Sequence, residues 1–558
     1  MTPAGPDESG ARHPDGTPAH RPDSAPANRP DTAAANEPQP GDTGPPQAGA
    51  IRPPRPGSTR PPHPEDPRPR HLHDLLVRRA ALSPSAPAVA AADGRCGYRE
   101  LLRAAEAVAA LLVRHGVRPG DRVLLHGSPS LALAAAVYGC SRAGAVLVPL
   151  HPGIRRPQLE HVVRDCAPAL ALVAPDHDEL HRGSGVPAVP LAVPPSAPDG
   201  GGLPELPEPP EDPHRPAALL YTSGTTGAPK AVVSPHAAML FAVTAIADRL
   251  GYRADDTVFC PLPFSFDYGL YQLFLATLAG ASLVLPSPAE TGPRLLRAVA
   301  DSGTTVLPLM PAMASVLVRL AERAGGGPER VRLVTSTGAA FPEPLVDAVL
   351  RALPGAGVAL MYGLTECKRV SVLTPGERAS RPGSVGRPLA GTSCVVVDDE
   401  GREVPAGTEG QIVVRGPHLM AGYWGAPGAS ADRFPVRPDG TVELRTGDYG
   451  RVDADGYLYV TGRRDDLYKQ NGFRVGGIEV ERAALSVPGV VQAAVLPPAE
   501  GRPARLFLVT GLGPAEFLAG LGERLEQYKV PPSVRIVPEL PLTAHGKVDR
   551  VRLAREAE

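Results

Sequence analysis

The sequence predicts an α/β fold: a parallel sheet wrapped by helices, then a β-rich stretch, then a small α/β unit. Three observations support this. Between about residues 88 and 361, short apolar runs alternate with helix-length amphipathic runs, the pattern of a parallel sheet with crossover helices. From Ser393 onward, short strands alternate with turns such as Asp398-Asp399-Glu400-Gly401, Pro438-Asp439-Gly440 and Asp453-Ala454-Asp455-Gly456. That texture predicts antiparallel β in a barrel-like subdomain. Finally, 558 residues are too many for one core, so two or more domains are expected.

In chain order, residues 1–70 are Pro, Ala, Gly, Asp and Arg with almost no large apolar side chain. Such a tail buries too little surface to offset its ordering entropy and is expected to be disordered. From His71 the composition becomes globular. Helices are predicted over 71–82 and 98–115, with a strand at 88–90 and a turn at Asp93-Gly94. A strand at 121–125, an Ala-rich helix and a strand at 144–150 follow. Residues 183–216, dense in Pro and Gly, read as a loop. Short apolar runs at 217–220 and 231–233 read as strands, and 237–250 as a helix. Further strands are predicted at 257–259, 282–285, 305–309, 331–334 and 358–361. The helices between them fall at 270–278, 294–302, 312–323 and 343–352. The last hundred or so residues read as a small α/β unit, with its boundary at Gly462-Arg463-Arg464-Asp465-Asp466.

A formal net charge of -2 gives no footprint for nucleic acid or an anionic membrane. The longest apolar run, 131–150, is broken by Arg142 and Gly144 and reads as helix then strand, not a membrane span. Six scattered cysteines without metal spacing, and no apolar leader, read as a cytoplasmic protein with reduced thiols. Of 57 basic residues only five are lysine: Lys230, Lys368, Lys469, Lys529 and Lys547. Where arginine is the default cation, a retained lysine marks a task for a compact, mobile ammonium.

The stretch Tyr221-Thr222-Ser223-Gly224-Thr225-Thr226-Gly227-Ala228-Pro229-Lys230 stands between two short apolar runs. Its glycines let backbone approach a ligand, while its hydroxyls, amides and Lys230 offer donors to phosphate oxygens. A Walker loop needs a different glycine spacing and a helix after the lysine. A hydroxyl-rich surface turn is the plainer alternative. Two further loops follow strands: Thr337-Gly338-Ala339-Ala340, and Met361-Tyr362-Gly363-Leu364-Thr365-Glu366. Loops at the carboxyl ends of parallel strands can share one crevice. There a glycine loop beside an aromatic ring suits a planar base, and a hydroxyl with a carboxylate suits phosphate plus Mg2+.

These stretches, in this order, resemble the motifs of the adenylate-forming (AMP-binding) superfamily of acyl-CoA synthetases, luciferase-like ligases and peptide-synthetase adenylation domains. The likeness runs from about His71 to Leu553. It implies a large N-terminal domain, 71–464, of two α/β subdomains plus a β-barrel-like subdomain. It also implies a small mobile C-terminal domain, 465–558, hinged at Asp465. By resemblance, Thr222, Ser223, Gly224, Thr225, Thr226, Gly227 and Lys230 would hold ATP phosphates. Gly338, Ala339 and Ala340 would line the adenine, Tyr362 beside Gly363 would stack on it, and Thr365 would touch the α-phosphate. Glu366 would bind Mg2+, Asp448 of Thr446-Gly447-Asp448 the ribose, and Arg463 the nucleotide. Lys547, in Thr543-Ala544-His545-Gly546-Lys547, would be the mobile catalytic lysine, acting with Glu366 and Lys230. Without the resemblance, Asp448 is a turn residue, Arg463 and Asp465 a surface ion pair, and Lys547 an exposed lysine.

The implied reaction is attack of a carboxylate on the α-phosphorus of ATP, loss of pyrophosphate, then transfer of the acyl group to a thiol, either CoA or a carrier protein's phosphopantetheine. Charge neutralisation and positioning dominate such phosphoryl chemistry. The stretch Lys469-Gln470-Asn471-Gly472-Phe473-Arg474-Val475-Gly476-Gly477 resembles the loop of the second step, with Gly476-Gly477 departing from its usual wording. His236, Asp267, Tyr271, Ala312, Thr337, Met361, Arg369 and Val370 would line the acyl pocket. In amino-acid-activating relatives an Asp at the place of Asp267 binds the substrate ammonium, but the same wording is similar to ligases needing no amine. Arg369 replaces a small or apolar residue; pointing inward, it could pair with a polar or acidic substrate, and a plain surface arginine is the equal alternative. An acyl-CoA or acyl-carrier ligase is the first expectation, and a stand-alone amino-acid adenylation enzyme loading a carrier in trans the alternative. A luciferase-like oxygenase and a silent binding protein are the competing classes.

Overall fold

In the computed structural model, the described residues are 69–192, 206, 208, 211–222, 229–339, 341–463, 467–470, 473–499, 502–525, 527–543 and 547–556. The chain divides into a unit of residues 1–66 and a unit of residues 67–558. The first, which holds nearly all of the expected tail, lies outside the described residues; everything below concerns the second.

Two sheets carry the larger part of this unit. The nine-stranded sheet has the order Arg387–Pro388, Ser371–Leu373, Gly357–Tyr362, Leu333–Ser336, Val306–Pro308, Thr257–Phe259, Ser282–Leu285, Pro87–Ala91 and Gly94–Gly97. Its central strands are parallel and its margins antiparallel. The six-stranded sheet has the order Ala188–Pro190, Leu170–Val173, Arg122–His126, Val146–Leu150, Pro216–Thr222 and Lys230–Pro235. Here all pairs are parallel except the last. Parallel strands joined by helices bury both faces, which is why these strands read as continuous apolar runs.

One core cluster joins the two sheets through the helices Tyr98–Arg114, Leu131–Arg142, His236–Leu250 and Asp267–Ala279. The helix Asp267–Ala279 is apolar nearly all round and is correspondingly buried. Two of its polar groups are met by tyrosines of neighbouring helices: Tyr138 Oη donates to Thr277 Oγ1 at 2.8 Å, and Tyr98 Oη to the Ala276 carbonyl at 3.1 Å.

The β-textured stretch is an antiparallel meander of Ser393–Val397, Gly410–Arg415, Glu443–Val452 and Leu458–Arg463. The C-terminal part has its own core around Val475, Val480, Leu506, Leu508, Phe517 and Leu521. It contains the hairpin Leu467–Gln470/Phe473–Gly476 and the three-stranded sheet Val490–Leu496, Arg505–Thr510 and Ser533–Ile536.

Among the places where the chain differs from the sequence reading are the following four. The Asp93-Gly94 turn closes a hairpin whose return strand, Gly94–Gly97, carries too few apolar residues to register. The helix read at 270–278 starts at Asp267, which places that carboxylate in the first turn. The strand read at 331–334 is Leu333–Ser336. Within the loop read at 183–216 lies the edge strand Ala188–Pro190. Proline is tolerated at such an edge because it has no ladder donor to lose.

Candidate functional site

The strands Pro216–Thr222 and Lys230–Pro235 pair antiparallel, with Thr222 opposite Lys230. The loop of residues 223–228 therefore leaves and re-enters the sheet at one point. Ser223, Gly224, Thr225, Thr226 and Gly227 lie outside the described residues. The helix Arg156–Cys166, which shows only three buried side chains and escaped the sequence reading, holds the loop's base. Tyr221 Oη donates to Asp165 Oδ2 at 2.7 Å, and His161 Nε2 lies 2.8 Å from the Pro229 carbonyl.

Beside this base stands Glu366, only 8% exposed. Tyr423 Oη donates to Glu366 Oε1 at 2.6 Å, and Lys230 Nζ lies 5.5 Å from the centre of the Tyr423 ring. Arg433 Nη2 is 3.7 Å from Glu366 Oε1. Lys230 and Glu366 thus share one aromatic ring as a spacer. The Thr365 hydroxyl and Glu366 carboxylate are hard oxygen donors in adjacent positions, a set that fits Mg2+ completed by water and phosphate oxygens.

The second cluster forms where the meander meets the nine-stranded sheet. Asp448 and Arg463 are register partners on neighbouring strands, and Arg463 Nε donates to Asp448 Oδ1 at 3.2 Å. Tyr362 Oη donates to Asp448 Oδ2. Burial pushes the Asp448 carboxyl above its ordinary range, against the opposing pull of Arg463, the Tyr362 hydrogen bond and Arg433. Lys547 belongs to the same group. Its segment is held by the bridge between Leu542 and Val548 and by Lys547 N–H donating to Thr543 Oγ1 at 3.3 Å. The side chain is reached by solvent yet walled by protein. Desolvation lowers its ammonium pKa, Arg463 lowers it further, and Asp267 and Asp448 oppose the shift. A lysine some eighty residues beyond the meander therefore feels the charges of both clefts.

The third cluster surrounds Asp267, 8% exposed in the first turn of its helix. Arg369 is buried at 4% exposure; its Nη1 donates to Thr337 Oγ1 at 2.9 Å, and its guanidinium lies 5.5 Å from the Tyr268 ring centre. Tyr271 Oη, within electrostatic reach of both Asp267 and Arg369, is buried without a hydrogen-bond partner, as is Arg369 Nε. Lys368 lies beneath, 1% exposed, with Nζ donating to Ser234 Oγ at 3.1 Å and to the Thr365 carbonyl at 2.9 Å. Burial pushes its ammonium down to about 8, against the raising fields of Asp267 and Glu366. Its backbone is left-handed, φ 63°. Gly363 makes room for that turn: a Cβ there would stand 2.3 Å from the Lys368 carbonyl oxygen.

Of the remaining expected residues, Gly338 (φ 84°) packs near Phe266, where a Cβ would reach the ring at 3.2 Å. Ala339 is exposed at the mouth of that loop, whereas Ala340 and Asp465 lie outside the described residues. Met361 is buried on the strand Gly357–Tyr362. His236 stands apart. Its Nδ1 accepts the Leu72 N–H at 3.2 Å, its ring meets His71 edge-on at 5.0 Å, and burial pushes it down to about 3. It is therefore a neutral group tied to the first helix. The sequence reading missed Tyr423 and Arg433. The one tryptophan of the chain, Trp424, could have marked their segment; its Nε1 donates to the Asp165 carbonyl at 3.2 Å.

Comparison with known proteins bears on this geometry. Residues 76–424 match the model of the AMP-binding enzyme family, and residues 479–547 that of the AMP-binding enzyme C-terminal domain. The chain is 32% identical over 489 residues to feruloyl-CoA synthase of Amycolatopsis sp, covering 85% of this chain and 96% of that protein. It is 33% identical over 488 residues, 84% of its length, to the probable non-canonical nonribosomal peptide synthetase CymA of Salinispora arenicola, and spans only 6% of that protein. The solved complex of VinN with L-aspartate is 37% identical, with a TM-score of 0.64, covering 70% of this chain and 98% of VinN.

Proposed function

The chain belongs to the AMP-binding enzyme family, and from that premise we propose that it activates an amino acid bearing a second carboxylate. In reaction class it is an ATP-dependent, AMP-forming acid–thiol ligase. The observation that carries the substrate class is that the buried Arg369 guanidinium and the buried Asp267 carboxylate both lie within electrostatic reach of Tyr271 Oη, which is unpartnered, as is Arg369 Nε. A buried cation and a buried anion within reach of one unpartnered hydroxyl suit a ligand that presents both signs, because each charge is costly to leave unpaired. Lys368 gives two of its three N–H donors to Ser234 and Thr365, so Asp267, though within its field, keeps acceptor positions for an ammonium. VinN, solved with L-aspartate, supports a substrate of this kind.

In the first step a substrate carboxylate oxygen bonds to the α-phosphorus as the bond to the β-phosphate bridging oxygen breaks, and pyrophosphate leaves. Lys547 bridges the attacking carboxylate and the α-phosphate. Lys230 and the loop of residues 222–227 neutralise the phosphates, and Thr365 orients the α-phosphate. Glu366 and Thr365 would hold Mg2+, which supplies further charge neutralisation when bound. Gly338, Ala339, Ala340, Tyr362 and Gly363 receive the base, and Asp448 with Arg463 the ribose. In the second step a thiol sulfur bonds to the acyl carbon and AMP leaves. We assign the thiol to a phosphopantetheine on a separate carrier protein. CoA is the second reading, favoured by the match along almost all of feruloyl-CoA synthase. The steps are separated by movement of a C-terminal domain, 465–558, relative to residues 71–464, about Asp465. Six free cysteines favour a cytoplasmic setting. Among the described residues no helix is long and apolar enough to cross a membrane.

The test is ATP–pyrophosphate exchange over a panel of amino dicarboxylic acids, their monoamides, the matching diacids without an amine, and aromatic and fatty acids. Amino dicarboxylic acids should support the fastest exchange. Faster exchange with an aromatic or fatty acid would remove this reading of the pocket.

A further inference from the structure

We propose that Arg433 is a phosphate-binding side chain of the adenylation step, gripping the oxygens that leave as pyrophosphate. The inference rests on the nucleotide chemistry proposed above but not on the identity of the acid.

Arg433 closes the helix Pro427–Arg433. That helix is docked by Ser430, whose Oγ accepts the Tyr423 N–H at 2.9 Å and donates to the Ala426 carbonyl at 2.8 Å. Phe434, the next residue, meets the Tyr423 ring edge-on at 6.1 Å. The same short segment therefore fixes Tyr423 and Arg433 together. Lys230 stands over the ring of Tyr423, and Arg433 reaches Glu366, to which the Tyr423 hydroxyl is bonded. The two cations share Tyr423 as a common neighbour, next to the point where the loop of residues 223–228 leaves the sheet.

The guanidinium is poorly committed. Its contact with Glu366 is 3.7 Å, beyond hydrogen-bond reach, and its buried Nε has no partner. Arginines with structural duties in this chain make close bonds: Arg249, whose Nε is likewise unpartnered, donates through Nη2 to Glu377 Oε2 at 2.9 Å. Arg378 Nε donates to Glu343 at 2.9 Å, and Arg332 Nε to Asp256 at 2.7 Å. Space is also kept for it: Gly447 is left-handed (φ 70°), and a Cβ there would come within 3.1 Å of Arg433 Nη1. Between Glu366 and Asp448, whose carboxyl it also stabilises, the guanidinium presents a planar fork to a polyanion. Asp448 and the Tyr423 hydroxyl remain its neighbours, and its Nε, which has no partner, and the Nη groups that only approach Glu366 are left for phosphate oxygens.

The experiment compares the full chain with Arg433→Ala and Arg433→Lys. ATP binding is read by calorimetry without any acid, and KM for ATP and inhibition by pyrophosphate are read in exchange. Acyl transfer is read from supplied acyl-adenylate, and Tm is recorded. For Arg433→Ala we expect ATP affinity and pyrophosphate inhibition each to weaken about tenfold or more, as loss of a charge-assisted bond implies. Acyl transfer and KM for the acid should hold, and Arg433→Lys should recover part of the loss. Unchanged ATP affinity and pyrophosphate inhibition, whether or not Tm falls, would overturn the proposal. Because ATP binding needs no acid, a wrong substrate class would show in the exchange panel and not in this comparison.

Discussion

Tyr423 Oη donates a 2.6 Å hydrogen bond to Glu366 Oε1, so a carboxylate that is only 8% exposed is aimed by a residue 57 positions further along the chain. A hydrogen bond to a buried charged group is worth about 1.5–3 kcal/mol. Tyr423→Phe should slow adenylate formation about tenfold or more and leave transfer from supplied acyl-adenylate intact, as read by separate half-reaction assays. Equal rates for the two proteins in the first half-reaction would show the bond to be incidental.

In the proposed function, Arg369 is the residue that answers the substrate's second carboxylate. Removing one partner of a buried charge pair costs roughly 2–5 kcal/mol. Arg369→Leu should therefore cut kcat/KM for an amino dicarboxylic acid about 100-fold or more and change that for its monoamide far less. The measurement is the ratio of the two; a ratio that stays constant would place Arg369 outside the recognition.

Lys547→Ala should abolish adenylation and spare acyl transfer from supplied adenylate. The pH profile carries a second signature. Lys547 must be protonated to bridge two anions, and its pKa is lowered by burial, then by Arg463. Adenylation should therefore fall as pH rises through a value below that of an ordinary lysine. Arg463→Ala removes the second cause, so this alkaline limb should move upward in pre-steady-state measurements; a limb that moves down or stays would contradict the assignment.

His418 is 0% exposed, both ring nitrogens lack partners, and burial pushes it down to about 4. The unfolded chain binds this proton near pH 6.5, so between pH 6.5 and about 4 the unfolded state carries more protons than the folded one. Stability present above pH 6.5 is then lost as pH falls, by up to ~3 kcal/mol from this residue. His418→Leu should shift the acid-unfolding midpoint to lower pH, monitored by circular dichroism; an upward shift would reverse the argument.

Much of the fold was legible because the local signal and the buried pattern coincide: the helix read at 343–352 is Glu343–Ala352 to the residue. The hairpin strand Gly94–Gly97 carries too few apolar residues to set a period, whereas the helix Arg156–Cys166 has Leu159, Val162, Val163 and Cys166 at helical spacing and was open to a reading that passed over it. The phosphate loop, Glu366, Asp448, Arg463 and Lys547 each sit in a run of consecutive residues that resembles a family motif, so roles could be expected for them through that resemblance. Tyr423 and Arg433 have no such run. Their placement arises from Ser430 tying a short helix to a turn, a contact that only folding creates. The burial of Lys368 and Arg369 was equally hidden, because two adjacent cations read as surface until the turn at Gly363 folds them inward.

That turn bears on any attempt to re-target the enzyme by directed evolution. Position 363 tolerates no side chain against the Lys368 carbonyl, and Lys368 holds an unfavourable backbone angle with its ammonium locked to Ser234 and Thr365. Libraries that randomise 363 or 368 should yield mostly misfolded clones. Diversity is better concentrated at 369, 337 and 271, where new side chains can appear on a frame whose main chain has nowhere else to go.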